Sequence, residues 1–218
     1  LISRDDTLLS DQQLMQYLGW IERLKKGEPL AYIIGYKEFF SRRFRVTPDT
    51  LIPRPDTEIL VEKILAIAKN DDSMLDMGTG TGCIAISCKL KKPTLNVSAS
   101  DISLATLAVA QENAKLLATE ISFIESNWFQ AISGKFAIIA SNPPYIHATD
   151  NHLADLTYEP VSALTDFADG LSAIRQIVEG APKHLLNKGW LLFEHGYDQA
   201  SNVRELLREH GFQNISSE

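Results

Sequence analysis

The sequence predicts an α/β domain built on a mostly parallel, twisted β-sheet. From residue 57 onward, apolar β-prone runs alternate with segments whose apolar residues recur at helical spacing, which is typical of successive βαβ units. A strand at Met74–Met77 runs directly into the glycine-rich loop Gly78–Gly82, as in sheets that bind nucleotides. With 218 residues, the chain is long enough for one such domain and a small appendage.

The segment before residue 57 predicts a helix followed by a β-hairpin. Apolar residues recur at helical spacing in Ser10–Lys26, where Ser10 or Asp11 can cap the start, and Gly27 and Pro29 end the helix. Short β-prone runs follow, separated by Gly35 and a turn at Ser41–Arg43: Ala31–Ile34, Glu38–Phe40 and Phe44–Val46. A small hairpin linker is therefore expected.

The alternating elements of the sheet can be assigned in order. Helices are predicted at Glu58–Lys69, Cys83–Leu90, Leu104–Leu117, Leu171–Leu186 and Gln199–Glu209. Strands are predicted at Met74–Met77, Asn96–Ser100, Ile121–Glu125, Phe136–Ser141, Trp190–Glu194 and, as the start of a further strand, Phe212–Ile215. This order favours right-handed crossovers and a parallel sheet.

The charge distribution disfavours nucleic acid as a partner. The formal net charge is −7, whereas a protein that binds a phosphate backbone normally presents a basic face. The basic residues form two short clusters of the kind usually found on a solvated surface: Arg42, Arg43 and Arg45, and Lys89, Lys91 and Lys92. We therefore expect no direct binding of nucleic acid.

The cysteines and the apolar runs indicate the compartment. Cys83 and Cys88 lie in one predicted helix, a spacing that suits neither a disulfide framework nor a metal site. Free thiols without a secretory segment are typical of the cytoplasm, and no apolar run approaches the roughly 20 residues needed to cross a bilayer. Leu1–Asp6 are neither a signal peptide nor a start methionine, so the chain is expected to begin inside a longer protein. We expect a cytoplasmic monomer without membrane attachment or metal.

The glycine-rich loop Gly78–Gly82 indicates which nucleotide is bound. Alternate glycines permit positive φ and close approach of the backbone to a ligand, and the following helix offers unpaired N–H groups. A dinucleotide fingerprint needs its third glycine at Cys83. Asp76 instead completes an Asp-x-Gly-x-Gly-x-Gly pattern that resembles the first motif of Rossmann-like methyltransferases, whose ligand carries no pyrophosphate. Asp101, about 20 residues beyond the glycines at a strand end, can accept the ribose hydroxyls of an adenosyl group.

The run Asn142–Pro143–Pro144–Tyr145 follows another apolar strand. Two prolines cannot continue a central strand, so the chain leaves the sheet here with a fixed backbone. A planar amide or aryl amine is a poor nucleophile, and acceptors aimed at its N–H hydrogens raise the electron density on nitrogen. The side-chain oxygen of Asn142 and the carbonyl of Pro143 can accept in this way, while Tyr145 offers a flat wall. Methyl transfer from a sulfonium needs alignment and exclusion of water more than a strong base.

With these two motifs the sequence resembles the bacterial release factor glutamine methyltransferase family. The resemblance extends over nearly the whole chain and also includes Gly27–Leu30, Leu51–Glu58, Tyr158–Pro160, Asp169–Leu171 and Glu194–Gly196. The run Arg54–Glu58 and the pair Glu159–Pro160 separate this family from the wider set of Asn-Pro-Pro-Tyr enzymes.

The resemblance implies a fold and an activity. The fold has a small helical amino-terminal domain for substrate recognition, a β-hairpin and a Rossmann-like class I S-adenosylmethionine-dependent methyltransferase domain. Residues 1–28 would be the end of the first domain, 29–52 the hairpin linker, and 53–218 the methyltransferase domain with its last strands incomplete. The implied reaction methylates the glutamine of the Gly-Gly-Gln motif in peptide chain release factors and leaves S-adenosylhomocysteine, in support of translation termination.

The resemblance also assigns roles to residues. It implies that S-adenosylmethionine contacts Gly78, Thr79, Gly80, Thr81, Gly82, Asp101, Trp128 and Asn142. It implies that the substrate glutamine is held by Asn142, Pro143, Pro144 and Tyr145, with Asn142, Pro143 and Tyr145 as the catalytic set. Asn127 stands where family members often carry an acidic residue, and its amide can still hydrogen-bond an adenine.

Three alternatives stand beside this interpretation. A DNA adenine amino-methyltransferase applies the same logic to a flipped base, but it needs a basic cleft. A glutamine methyltransferase acting on a ribosomal protein is disfavoured by Arg54–Glu58. A module that binds cofactor without catalysis is disfavoured by the intact Asn142–Tyr145 run.

Other polar residues are expected to be structural. Glu194 and His195 sit together at a strand end, where such a pair usually serves the fold. His147 and His152 follow the Asn142 run without the further ligands that a metal site needs. Cys83 at a helix start is expected to be a small packing residue.

Overall fold

The computed structural model describes residues 8–151, 153 and 156–218, so Leu1–Asp6 and His152 lie outside the described residues. Two helices and a β-hairpin precede a sheet that is flanked by helices. Within the described part of the chain, no helix is long and apolar enough to cross a membrane.

The first helix, α1 (Asp11–Lys25), begins at a capping box. Gln13 donates its backbone N–H to the Ser10 hydroxyl at 3.3 Å, and Ser10 donates its own N–H to the Gln13 side chain at 2.9 Å. Two N–H groups at the start of the helix are thereby satisfied. Of the two capping residues that the sequence allowed, Ser10 is the one used.

Residues 31–34 are helical, so the predicted β-prone run at this position was wrong. The short helix α2 (Leu30–Ile34) follows Pro29, whose carbonyl accepts the N–H of Ile33, and ends at Gly35 with φ +81°. The branched and aromatic residues favour a strand by propensity. Burial of Tyr32 and Ile33 through one helical turn overrides that preference.

The hairpin is present, with both strands earlier than predicted. Strand β1 (Tyr36–Phe39) pairs antiparallel with β2 (Arg42–Arg45). The turn falls at Phe40 and Ser41, which take φ of +50° and +62°, as a two-residue hairpin turn requires. Phe39 and Phe44 are buried with their rings edge to face at 6.0 Å.

The main sheet confirms the predicted parallel α/β architecture. Its strands are β3 (Ser73–Met77), β4 (Asn96–Asp101), β5 (Ser122–Glu125), β6 (Phe136–Ser141) and β7 (Leu185–Phe193). They lie in the order β5-β4-β3-β6-β7, and all neighbours are parallel. The helices are α3 (Thr57–Ile67), α4 (Cys83–Lys91), α5 (Leu104–Leu116), α6 (Ser172–His184) and α7 (Ala200–Glu209).

The sheet is buried on both faces, as a parallel sheet requires. Met74 packs on one face in a cluster that includes side chains from α3, α4 and α5. The next residue, Leu75, packs on the other face with Ala181 of α6. Residues alternate between the two faces because successive side chains of a strand point in opposite directions. The buried core therefore holds the strand ends in fixed positions.

The last predicted strand, Phe212–Ile215, is wrong. After α7 the N–H of Gly211 bonds to Arg208 and that of Phe212 bonds to Leu207, with Gly211 at φ +80°. This is a Schellman ending, which uses the backbone groups that a strand would need. Phe212 packs against the α6 side of the sheet.

Strand β7 begins earlier than the predicted Trp190. Leu185 pairs with Phe136, the ladder is then interrupted, and regular pairing resumes at Trp190. Lys188, at φ +62°, lies in the interrupted stretch, between the predicted helix Leu171–Leu186, which ends at His184 in the structure, and the predicted strand Trp190–Glu194.

Asn113 fastens the hairpin to the rest of the molecule. Its side chain is fully buried in α5. The amide nitrogen donates to the carbonyls of Arg45 at 3.0 Å and Thr81 at 2.9 Å, and the amide oxygen accepts the N–H of Arg45 at 2.7 Å. One carboxamide thereby connects the hairpin, α5 and the glycine-rich loop.

Candidate active site

The carboxyl ends of the adjacent strands β4, β3 and β6 open onto a cavity of about 550 Å³. The strand order reverses at β3, the position where open α/β sheets bind ligands, and the volume suits a small molecule. The cavity is lined by these residues of the predicted site: Gly78, Thr79, Gly80, Thr81, Asp101, Trp128, Asn142 and Pro144.

The three glycines of the loop serve two purposes. All have positive φ: +65° at Gly78, +57° at Gly80 and +80° at Gly82. A Cβ at Gly78 or Gly80 would meet nothing within 4 Å, whereas one at Gly82 would lie 2.9 Å from the Ile86 side chain. Gly78 and Gly80 therefore leave backbone open to a ligand, and Gly82 lets α4 pack closely.

Asp76 supports the loop from beneath. Its carboxylate is fully buried and accepts the Thr79 hydroxyl at 2.7 Å and the Ala85 N–H at 3.2 Å. Burial raises the pKa of Asp76 to about 7, although these two hydrogen bonds act in the opposite direction. The residue holds the loop to the start of α4 and does not line the cavity.

Asp101 ends β4 beside the loop. One carboxylate oxygen accepts the N–H of Gly80 at 3.1 Å, and the other accepts the N–H of Ser103 at 3.1 Å. Burial raises the pKa of Asp101, with these N–H groups opposing the shift. Each oxygen retains acceptor capacity toward the cavity.

Trp128 and Asn127 lie on the cavity wall beyond β5. Trp128 has φ +48°, a conformation that a bulky residue adopts only under constraint. Ser126 supplies the constraint, because its hydroxyl donates to the Trp128 carbonyl at 2.7 Å and accepts the Ala131 N–H at 3.0 Å.

Asn142 leaves the end of β6 and is tied to two distant parts of the chain. Its amide nitrogen donates to the hydroxyl of Thr57 at 3.1 Å. That hydroxyl donates to one oxygen of Glu194 at 2.7 Å, and Tyr145 donates its hydroxyl to the other oxygen at 2.7 Å. Burial and the adjacent Glu194 carboxylate raise the pKa of Tyr145, so its phenol remains a donor.

Three predicted site residues do not line the cavity: Gly82, Pro143 and Tyr145. Pro143 is buried beneath the corner. The ring of Tyr145 packs against the cluster formed by α6 and α7, and its carbonyl accepts from the Gln199 side chain at 2.9 Å. The contacts of Pro143 and Tyr145 therefore stabilise the turn that follows Asn142.

Several residues at the cavity were not predicted from the sequence. Thr57 and Arg54 line it, and Arg54 pairs with the buried carboxylate of Glu159 at 2.5 Å. The other oxygen of Glu159 accepts the Ile52 N–H at 2.9 Å. These residues belong to the runs that marked the family, but nothing local in the sequence places them beside Asn142.

Cys83 lines the cavity, whereas Cys88 and His195 do not. Burial raises the pKa of Cys83 to about 12 and also raises that of Cys88, so neither thiol is an activated nucleophile. His195 contacts the Gly196 carbonyl and Ser217 through its ring nitrogens. Among the described residues, no group of three or more His, Cys, Asp or Glu could hold a metal ion.

Comparison with known families gives two matches. The family model of the methyltransferase small domain matches residues 55–214, and that of the PrmC N-terminal domain matches residues 1–35. A release factor glutamine methyltransferase from Neisseria gonorrhoeae is 47% identical over 99% of this chain and 81% of the relative. Proteins of the same name match from Vibrio cholerae (46%, over 100% and 78%) and Pseudomonas aeruginosa (49%, over 90% and 73%).

Solved structures agree with the fold. A ribosomal protein L11 methylase from Lactobacillus delbrueckii subsp. bulgaricus has a TM-score of 0.58 at 22% identity, covering 84% of this chain and 83% of that one. A methyltransferase from Pyrococcus furiosus has a TM-score of 0.62 at 17% identity, covering 89% and 88%. At such identities the likeness concerns the fold alone, and it confirms the predicted Rossmann-like methyltransferase architecture.

Proposed function

This chain belongs to the release factor glutamine methyltransferase family, and from that premise we propose that it methylates a glutamine side chain of peptide chain release factors. The methyl donor is S-adenosylmethionine, and the target is the amide nitrogen in the Gly-Gly-Gln motif. The proposal sets the reaction in the cytoplasm, where release factors act. The observation that carries it is that Asn142 lines the same cavity as Gly78, Gly80 and Asp101.

The proposed cofactor site is the part of the cavity between the glycine-rich loop and Trp128. The open backbone at Gly78 and Gly80 supports it, and the Asp101 carboxylate suits the two hydroxyls of a ribose. Trp128 offers an apolar surface and Asn127 an amide for the adenine. When bound, S-adenosylmethionine supplies an electrophilic methyl group on a positively charged sulfur.

The proposed substrate site is the corner Asn142–Tyr145. The Asn142 carboxamide oxygen and the Pro143 carbonyl accept the two N–H hydrogens of the glutamine amide. This pairing raises electron density on the nitrogen and fixes the direction of its lone pair, and Pro143 and Pro144 restrict the backbone that carries both acceptors. Orientation of the amide is therefore the main contribution of the protein.

No strong base is needed at the corner. The amide nitrogen forms the N–CH3 bond as the bond from methyl to sulfur breaks, and the nitrogen then bears a positive charge and loses one proton readily to water. Tyr145 does not take that proton, because its phenol already donates to Glu194 and its pKa is raised.

The test is methyl transfer to a purified release factor from labelled S-adenosylmethionine, with the modified residue mapped by mass spectrometry. One methyl group is expected on the Gly-Gly-Gln glutamine. A matched release factor in which that glutamine is replaced by glutamate should remain unlabelled. Label in DNA or in a ribosomal protein, with none in the release factor, would contradict the proposal.

A further inference from the structure

The carboxamide of Asn142 has two ends that a substrate would experience differently. With the oxygen toward the cavity, the side chain accepts an N–H hydrogen; with the nitrogen there, it would repel one. Rotation of the amide by half a turn exchanges the two ends at almost no cost in shape. Something must therefore hold the side chain in one orientation for the proposed reaction to occur.

Thr57 and Glu194 supply that constraint through a chain of hydrogen bonds. The Glu194 carboxylate can only accept, so the single hydroxyl hydrogen of Thr57 is committed to it at 2.7 Å. The Thr57 oxygen can then only accept a hydrogen bond, and it accepts one from the Asn142 amide nitrogen at 3.1 Å. A reversed amide would place two oxygens against each other with no hydrogen between them.

Burial makes this constraint effective. Thr57 is only 2% exposed, so water does not readily replace its partners, and an unmatched polar pair there is costly. Glu194 also accepts the Tyr145 hydroxyl at 2.7 Å. One carboxylate therefore fixes both ends of the Asn142–Tyr145 corner.

We propose that Thr57 and Glu194 are positioning residues, which hold the carboxamide oxygen of Asn142 toward the substrate amide and keep Tyr145 in place behind it. The inference rests on the proposed function and adds residues on α3 and after β7 to it. Neither residue needs to touch the reacting atoms. Their effect is expected in turnover and not in cofactor affinity.

The test compares Thr57→Val, which keeps the shape and removes the hydroxyl, with Thr57→Ser, which keeps the hydroxyl. For Thr57→Val we expect kcat to fall roughly 10- to 100-fold, as for a misaligned catalytic group. The Kd for S-adenosylhomocysteine, measured by calorimetry, should change little. Thr57→Ser should recover most of the turnover. Thr119→Val serves as a control, because its hydroxyl bonds the Ala114 carbonyl and neither residue lines this cavity.

Glu194→Gln is the second variant, and it decides the matter if Thr57→Val does not fold. A glutamine presents one oxygen and one NH2 group, so either Thr57 or Tyr145 loses its acceptor, and kcat should fall. Wild-type turnover in either folded variant, or an equal loss in Thr57→Ser and Thr57→Val, would overturn the inference. Failure of the wild-type protein to methylate a release factor would instead overturn the proposed function, which keeps the two results distinct.

Discussion

The two walls of the cavity are built in different ways. The glycine-rich loop is held by Asp76, which bonds Thr79 and Ala85 within one strand–loop–helix unit, and by Asp101 and Asn113 from the next strand and helix along the chain. The Asn142 corner is held by Thr57 and Glu194, which lie far away along the chain. A local motif can be recognised from sequence, whereas a corner braced by distant elements exists only when the whole sheet has formed.

Substitutions in the two walls should therefore have different effects. Changes in the glycine-rich loop should disturb stability and cofactor binding, because backbone conformation and packing meet there. Changes in the Asn142 corner should disturb turnover while leaving most of the fold intact, because the corner contributes side-chain hydrogen bonds at the surface of a cavity.

The largest effect is expected for Asn142→Ala. The change removes one acceptor for the substrate amide, so kcat should fall at least roughly 100- to 1,000-fold, as for removal of one preorganised polar group from an active site. The temperature of unfolding should move little, because the change costs the fold the side-chain hydrogen bond from Asn142 to Thr57 and little packing. Undiminished turnover of the purified variant would contradict the claim that the Asn142 corner serves turnover while the glycine-rich loop serves stability and cofactor binding.

A smaller effect is expected for the pair Gly82→Ala and Gly80→Ala. At Gly82 a Cβ would meet Ile86 at 2.9 Å with φ at +80°, so strain and overpacking together should cost about 2–4 kcal/mol. At Gly80 the Cβ meets open space, and the cost should be about 1 kcal/mol. Urea unfolding measures both values, and calorimetry should show the larger loss of cofactor affinity at Gly80. If Gly80→Ala cost more stability and Gly82→Ala lost more cofactor affinity, the roles assigned to the two glycines would be wrong.

The smallest effect is expected for the pH dependence that Asp76 imposes. Its pKa is about 7 in the fold and about 3.9 in an unfolded chain. The folded state thus binds more protons between these values, so the free energy of unfolding falls as pH rises from about 4 to about 7. Asp76→Asn mimics the neutral acid and removes this term. Between pH 5 and pH 7 the variant should gain about 2 kcal/mol relative to the parent, measured by urea unfolding; a constant difference would show that Asp76 does not titrate there.

The sequence predicted most of the fold because its signals are local. Glycine loops, apolar strands and helical periodicity each lie within a short stretch, and the parallel sheet follows from their order. The errors arose where tertiary contacts decide: Ala31–Ile34 became a helix through burial, and Phe212–Ile215 ends in a cap. Thr57 and Glu194 were not predicted as partners of Asn142, because no local pattern relates three residues that meet only across the sheet.

Asn113 has a consequence for dissecting the molecule. Its carboxamide joins the hairpin backbone at Arg45 to the glycine-rich loop at Thr81. A fragment that starts after the hairpin would strip two of the three partners from a fully buried amide and expose the apolar surface now covered by Phe39 and Phe44. The smallest autonomous catalytic unit therefore includes the hairpin, and a shortened version of the enzyme should be cut ahead of Tyr36.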